Sequence, residues 1–212
     1  MLVRSRMTRE VITASPTMTV AAAIAVTREH RIRHLPVVED GRLVGVASDR
    51  DLRLAIPPQG SMPDRERREL MESTRVGDVM VKEVITISPD VPVEEAAALL
   101  AEHKIGCLPV LSDGRLVGIL SETDVLYAFV ELFRAHGPSS RIEIRMPDRP
   151  GELARVVRLI GVDFKINITG MVVPPLSEGE ALAIIHLQTL DPRDLIEALE
   201  KLGYQVGWPS LG

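Results

Sequence analysis

The chain has 212 residues, 45% of them apolar and 26% charged, with a formal net charge of −5. That length allows one large or two small domains with real cores, and the acidic balance argues against a dedicated nucleic-acid surface. No apolar run approaches the roughly 20 residues that span a bilayer, Met1-Leu-Val-Arg-Ser-Arg6 lacks the apolar block of a signal peptide, and a single cysteine, Cys107, leaves no internal disulfide. Together these predict a protein of the reducing cytoplasm, away from membranes.

The first segment with a pattern, Glu10-Val-Ile-Thr13, is β-rich and stops at Ser15-Pro16. Apolar residues at helical spacing (Val20, Ala23, Ile24 and Thr27) predict a helix next. Leu35-Pro-Val-Val38 reads as a short strand, and Asp40-Gly41 as a type I′ hairpin turn, which needs positive φ at both positions. The return strand is Leu43-Val-Gly-Val46, and Ser48-Asp-Arg-Asp51 opens another helix. Pro57-Pro-Gln-Gly-Ser-Met-Pro63 breaks structure, and Asp64-Arg-Glu-Arg-Arg-Glu-Leu-Met-Glu72 predicts a solvated connecting helix.

From Met80 the same order returns. Residues 80–125 realign on residues 7–52 at a constant offset of 73, with no gap and about half the positions identical. His30-Arg-Ile-Arg-His-Leu-Pro-Val37 is echoed by His103-Lys-Ile-Gly-Cys-Leu-Pro-Val110, Asp40-Gly41 by Asp113-Gly114, and Ser48-Asp-Arg-Asp51 by Ser121-Glu-Thr-Asp124. The second helix carries Val93, Ala96, Ala97 and Leu100 at helical spacing, with Glu94 and Glu95 in the first turn, where the helix dipole favours anions. Each copy is β-α-β-β-α. One copy is too small to cover its sheet, and two packed together can do so.

The pattern changes at His136-Gly-Pro-Ser-Ser140, which reads as a linker. Beyond it, Arg141-Ile-Glu-Ile-Arg-Met146 alternates as a strand, and Pro147-Asp-Arg-Pro-Gly-Glu-Leu153 turns into a helix. Asn167-Ile-Thr-Gly-Met-Val-Val173 and Ala181-Leu-Ala-Ile-Ile-His-Leu187 read as strands around the loop 174–179. A helix runs from Asp191, its N-cap, to Leu202, with Gly203 as C′, and Tyr204-Gln-Val-Gly-Trp208 closes as a strand. The order β-α-β-β-α-β is that of a ferredoxin-like sandwich. The expected divisions are 1–73 for the first repeat with its connecting helix, 74–135 for the second, 136–140 for the linker and 141–212 for the tail domain.

The tandem repeat, with its Leu-Pro-Val strand, Asp-Gly turn and Gly-x-x-Ser-x-x-Asp ending, resembles a pair of CBS (cystathionine-β-synthase-type) domains. The tail, through Asp148-Arg-Pro-Gly-Glu-Leu153 and Asn167-Ile168, resembles an ACT domain, although Gly161-Val-Asp-Phe164 departs from the small-residue turn usual there. The combination is similar to AcuB-type acetoin-utilisation proteins. These resemblances imply an α/β (α+β) protein: a CBS pair followed by a ferredoxin-like ACT domain.

The CBS resemblance implies that Asp51 and Asp124 bind a ribose, with Ser48 and Ser121 near the phosphate. A carboxylate can accept both hydrogen bonds of a ribose diol, and the free N–H groups of a helix start can meet a phosphate. The adenine would lie between apolar residues of the lead-in segments, Val11 to Thr13 and Val84 to Thr86, and the Leu-Pro strands, with Pro36 and Pro109. The first pocket is expected to add Arg33, His34 and Arg50, the second Gly106, Cys107 and Thr123, so that the first takes the more highly charged nucleotide. The ACT resemblance implies a small amino acid held by Asp148, Gly151, Glu152, Leu153, Asn167 and Ile168, or a unit that only dimerises.

A plainer reading of the same residues stands beside this one. Ser-x-x-Asp at a helix start is also an N-cap motif, Arg50 suits an ordinary surface, Cys107 sits in an apolar strand as core, and His30 and His103 suit helix C-termini. The histidines show no metal-ligand spacing beyond His30 and His34, which are split between helix and strand, so no metal site is expected. No nucleophile–base set stands out. The expectation is therefore a non-catalytic regulator with no required cofactor. It would sense AMP, ADP, ATP or S-adenosylmethionine and act as a homodimer on a regulated enzyme. The ligand would shift the tail through the 127–134 helix and the linker. The rival is an interaction scaffold with empty pockets.

Overall fold

The computed structural model describes residues 1–133, 139–174 and 179–208, so the expected linker at 136–140 lies in part outside the described residues, as does most of the loop 174–179. Two compact units emerge, Met1–Ala128 and Phe129–Gly212.

In the first unit the repeats give matched elements. The first contributes α1 (Val20–Glu29), β1 (His34–Glu39), β2 (Arg42–Ser48) and α2 (Asp49–Leu54), followed by α3 (Asp64–Ser73) and the short α4 (Val76–Val79). The second contributes α5 (Val93–His103), β3 (Cys107–Ser112), β4 (Arg115–Ser121) and α6 (Glu122–Phe133), which continues past the unit boundary. Strands β1 and β2 form one antiparallel hairpin, β3 and β4 the other. Asp40 and Gly41 have φ of 50° and 77°, and Asp113 and Gly114 of 50° and 74°, the left-handed pair that an Asp-Gly turn supplies at low cost. Thr19 caps α1 by accepting the Ala22 N–H at 3.1 Å. Val20, Ala23 and Thr27 then face inward along one side of α1, and Val93, Ala96 and Leu100 along α5.

The lead-in segments do not form the regular strands that their β-rich composition predicts. Each instead makes one backbone pair with the other repeat and one with its own. Thr8 and Ile119 exchange N–H···O bonds of 2.9 and 3.0 Å, and Val81 and Val46 exchange two of 2.9 Å. Six residues further on, Ala14 donates to the Pro36 carbonyl and accepts from Val38, while Ile87 donates to Pro109 and accepts from Leu111. A segment that changes partner within six residues has no room for a ladder, and Pro16 and Pro89 end it.

The crossing extends to the cores. Val3 and Met7, from the start of the chain, pack with Ile87, Ala96, Leu100, Leu108, Val110 and Leu120 of the second repeat. Val76 packs with Val20, Leu35, Val37 and Leu52 of the first, with Met80 against the same cluster. Fully burying a valine contributes about 1.5–3 kcal/mol. A division at residue 73 thus separates the two copies of the sequence, while each core takes side chains from both.

Two glycines make the crossing sterically possible. A Cβ on Gly45 would lie 2.4 Å from Met80 Sδ and 3.0 Å from the Val81 carbonyl oxygen. On Gly118 it would lie 2.5 Å from Met7 Sδ and 3.1 Å from the Thr8 carbonyl oxygen. The methionine could swing aside, but the backbone oxygen belongs to the pair that joins the repeats.

The second unit contains β5 (Ser140–Pro147), α7 (Glu152–Arg158), a π-helical turn at Leu159–Asp163, β6 (Ile168–Val172), β7 (Glu180–Leu187), α8 (Arg193–Lys201) and β8 (Gln205–Gly207). The sheet order β6-β7-β5-β8, antiparallel throughout, is the ferredoxin-like arrangement. Alternate residues of β5 (Ile142, Ile144, Met146) and β7 (Ala183, Ile185, Leu187) meet Val156, Ile160, Leu195 and Leu199 in one core. Helix α8 starts one residue later than the sequence predicts: Pro192 takes the N-cap position, and Asp191 accepts from the Arg193 N–H at 3.2 Å from just outside. Gly203, φ 90°, ends it as expected. The π-helical turn continues α7 through Gly161-Val-Asp163, where the sequence shows no recognised turn signal.

Gly118→Ala should lower stability by about 1–3 kcal/mol, as overpacking against a fixed backbone does. Urea melts of the two proteins would show it. An unchanged midpoint would mean that the Thr8–Ile119 crossing yields freely.

Candidate functional site

The crossing places two cavities in the first unit, each walled by both repeats. The larger, about 450 Å3, takes Val46, Ser48, Asp49, Arg50 and Asp51 from the end of β2 and the start of α2. Its other walls are Val81, Glu83, Val84 and Ile85 of the second lead-in, Lys104 to Cys107, and Glu122. The smaller, about 310 Å3, takes Ile119, Ser121, Thr123 and Asp124 from the end of β4 and the start of α6. Opposite them stand Thr8, Glu10, Val11 and Ile12 of the first lead-in and Arg31 to His34.

Both Ser-x-x-Asp signatures close capping boxes. Ser48 Oγ accepts from the Asp51 N–H at 3.1 Å, while Asp51 Oδ2 accepts from the Ser48 N–H at 2.9 Å and its hydroxyl at 2.6 Å. In the second copy the corresponding distances are 3.3, 2.8 and 2.6 Å. The cap and the cavity wall are therefore one set of atoms. Oδ1 of each aspartate takes no part in these bonds, and each aspartate lines its cavity.

The membership of the cavities differs from that expected. Gly106 and Cys107, assigned to the second pocket, line the Asp51 cavity, because each signature faces the other repeat across the crossing. Arg33 and His34, assigned to the first pocket, line both cavities. Arg50 lies with Asp51, and Thr123 with Asp124, as expected. Thr13 is exposed and lines a separate cleft beside the hairpin turns, with Asp40, Arg42, Asp113 and Arg115. Pro36 and Pro109 are buried within β1 and β3, opposite Val46 and Ile119, and Thr86 lies outside both cavity linings. Val84 and Ile85, with Val11 and Ile12, all within the expected lead-in ranges, supply the apolar walls.

Charge also departs from expectation. The Asp51 cavity holds Arg33, Arg50 and Lys104, but Asp49, Glu83 and Glu122 join Asp51 there. The Asp124 cavity holds Arg31 and Arg33 against Glu10 and Asp124. A cation count along the first repeat misses Glu83 and Glu122, which arrive from the second. The balance gives the first cavity no advantage for the more highly charged ligand.

The two residues that line both cavities, Arg33 and His34, have unlike counterparts in the second repeat. His34 and Cys107 hold equivalent positions, as do Arg33 and Gly106. The His34 ring sits over Gly106, where an added Cβ would lie 2.7 Å from Nε2. Burial, and then the Arg33 guanidinium, hold the His34 pKa below its ordinary value, against the opposing pull of Asp49, Glu122 and Asp51. Burial pushes the Cys107 thiol up to about 12, which suits core and not reactivity. Among the described residues, no group of three His, Cys, Asp or Glu could hold a metal ion, and no helix is long and apolar enough to cross a membrane.

In the tail, the residues expected to hold an amino acid have local partners. The Asp148 N–H donates to the Gly179 carbonyl at 2.9 Å, and Gly151 stands before α7 with φ of 96°. Glu152 accepts the Tyr204 hydroxyl at 2.7 Å, and burial together with that bond raises the tyrosine pKa. Asn167 donates to Gln188 Oε1 at 3.1 Å, while Leu153 and Ile168 pack on the core.

The sequence matches the CBS domain over residues 3–58 and 76–131, the two repeats. Among solved structures, a putative acetoin utilization protein (AcuB) from Vibrio cholerae is 32% identical, with a TM-score of 0.53 over 62% of this chain and 92% of that one. CBSX2, in complex with AMP, is 33% identical, with a TM-score of 0.52 over 63% and 98%. The CBS pair of protein MJ0100, in complex with 5′-methylthioadenosine and S-adenosyl-L-methionine, is 27% identical, with a TM-score of 0.52 over 62% and 97%. The tail lies beyond the residues matched to the CBS domain.

A thiol with a pKa near 12 has roughly a thousandth of the thiolate of a free cysteine near pH 8. Iodoacetamide should therefore label Cys107 at least about 100-fold more slowly in the native protein than in urea. Equal rates would place the thiol in water.

Proposed function

Because the chain belongs to the CBS-domain family, we propose that it is a non-catalytic sensor that binds an adenosine-containing ligand in the cavities headed by Asp51 and Asp124. The observation that carries this reading is the composite form of each cavity. A helix start with an aspartate Oδ1 outside its cap faces apolar lead-in residues from the other repeat, and cationic side chains stand alongside. The ribose diol donates to the aspartate, the adenine lies against Val84 and Ile85 or Val11 and Ile12, and the phosphate meets the arginines. The complexes of CBSX2 with AMP, and of MJ0100 with 5′-methylthioadenosine and S-adenosyl-L-methionine, support the ligand class.

A ligand spanning a composite cavity binds both repeats at once, so it favours one arrangement of them over others. Asp124 lies in the first turn of α6, and that helix carries the change along the chain toward the tail. We assign the tail as an ACT-like unit on its β-α-β-β-α-β order. Its open sheet edges, β6 and β8, suit it to forming a homodimer. Its candidate ligand residues hold one another or the core, which favours dimerisation over amino-acid sensing.

The capping boxes favour a second reading. Both aspartates have work to do without a ligand, so an interaction scaffold with empty cavities would retain the same signature.

A thermal-shift panel of AMP, ADP, ATP, S-adenosylmethionine and amino acids separates the two. A ligand at 100 times its Kd adds about 2.7 kcal/mol. Asp51→Ala or Asp124→Ala should reduce that shift by weakening the ligand about 1–3 kcal/mol, beyond the roughly 1 kcal/mol that loss of a cap costs the free protein. A flat panel from protein free of bound nucleotide would contradict the sensor and leave the scaffold.

A further inference from the structure

Arg33 and His34 line both cavities, whereas the equivalent residues of the second repeat, Gly106 and Cys107, line only the Asp51 cavity. Lys104 serves one cavity and Arg31 the other, in equivalent positions. Arg50 serves only the Asp51 cavity, and its equivalent in the other is Thr123. Arg33 is thus the cation that the two described linings have in common.

Its side chain reaches across the repeats. Arg33 Nη2 donates to Thr123 Oγ1 at 3.3 Å, in the first turn of α6, beside the Asp124 cavity. Its own carbonyl accepts the Asp49 N–H at 2.9 Å, in the first turn of α2, beside the Asp51 cavity. The bond to Thr123 is long and to a neutral acceptor, so a phosphate in either cavity outcompetes it. The second repeat supplies no matching cation. The equivalent position is Gly106, and the His34 ring occupies the space that a side chain there would need.

We propose that Arg33 is a single cation shared by the two cavities, so that phosphorylated ligands compete for it and the second binds more weakly because the first is present. The inference rests on the nucleotide reading above and adds its regulation. A guanidinium has a rigid fork of donors and cannot lie against anions in two separate cavities with the same geometry. The first phosphate draws Arg33 to its side. The second then meets a cavity that has lost a charge, in which carboxylates outnumber the remaining cations: Arg50 and Lys104 against four carboxylates, or Arg31 against two. Such coupling is reciprocal, so either cavity can act as effector of the other. An uncharged ligand makes no claim on Arg33 and is not coupled in this way.

The test is calorimetric titration of the full chain with AMP, and separately with adenosine, which lacks the phosphate. Asp51→Ala and Asp124→Ala each leave one cavity working, and each is measured with and without Arg33→Ala. Asp51→Asn and Asp124→Asn replace them if a melting curve shows that an alanine variant has lost its fold. AMP should bind the remaining cavity in both single-cavity proteins, and Arg33→Ala should weaken it about 10-fold or more in both, as loss of a charge-assisted bond does. In the intact chain, the second AMP should bind at least about 5-fold more weakly than in the same cavity alone, and Arg33→Ala should remove that difference. Adenosine should show none of these effects. If Arg33→Ala weakens AMP in only one cavity, or the intact chain binds two AMP with the affinities of the separate cavities, sharing is refuted while the nucleotide reading stands. If the intact chain binds neither AMP nor adenosine, the nucleotide reading fails and takes this inference with it.

Discussion

Everything in the first unit depends on two reciprocal backbone pairs, Thr8 with Ile119 and Val81 with Val46. Each ties the lead-in of one repeat to the return strand of the other, directly over a glycine. The β1–β2 and β3–β4 hairpins are two-stranded, and such hairpins alone are marginal in water. With the two pairs in place, Val3 and Met7 complete one core, and Val76 and Met80 complete the other. The repeats cannot be separated without opening both cores, so the pair folds as one body. The same crossing decides where a ligand can sit, since it brings each Ser-x-x-Asp helix start against the lead-in of the other copy.

The two aspartates show how a structural role and a binding role can share one side chain. Oδ2 holds the backbone N–H and hydroxyl of the serine three residues earlier, which fixes the carboxylate in direction and leaves Oδ1 outside the box. A ligand would meet an acceptor already aimed, and would lose little entropy in ordering it. The near-symmetry of the sites then makes their differences informative. His34 over Gly106 is a one-sided arrangement, and the residues that line both cavities include one arginine where strict symmetry would place two.

Much of this was legible in the sequence because it is local. Asp-Gly with apolar runs on both sides specifies a turn, Ser-x-x-Asp specifies a helix start, and a constant offset of 73 residues specifies two copies of one unit. The β-α-β-β-α-β order of the tail follows from alternation in β5 and β7 and helical spacing in α8. What the sequence could not show is which copy a segment pairs with. Glu10-Val-Ile-Thr13 reads as a strand in either case, and no periodicity reveals that Thr8 belongs to one sheet and Ala14 to another. That is why the sequence groups Gly106 and Cys107 with Asp124 although they line the Asp51 cavity, and why it does not bring Glu83 and Glu122 to Asp51. One signal was present: Gly45 and Gly118 are identical in both copies and stand inside strands. A glycine there implies a close approach of another backbone.

The central claim is that an adenosine ligand lies in a composite cavity with its ribose on the signature aspartate. A crystal structure of the full chain grown with AMP tests it most directly. The account predicts density for the nucleotide in the Asp51 or Asp124 cavity, with the diol on Oδ1, the capping bonds to Oδ2 intact, and the base against the lead-in of the opposite repeat. Clear density for AMP elsewhere, or cavities filled only by water at saturating AMP, would contradict it.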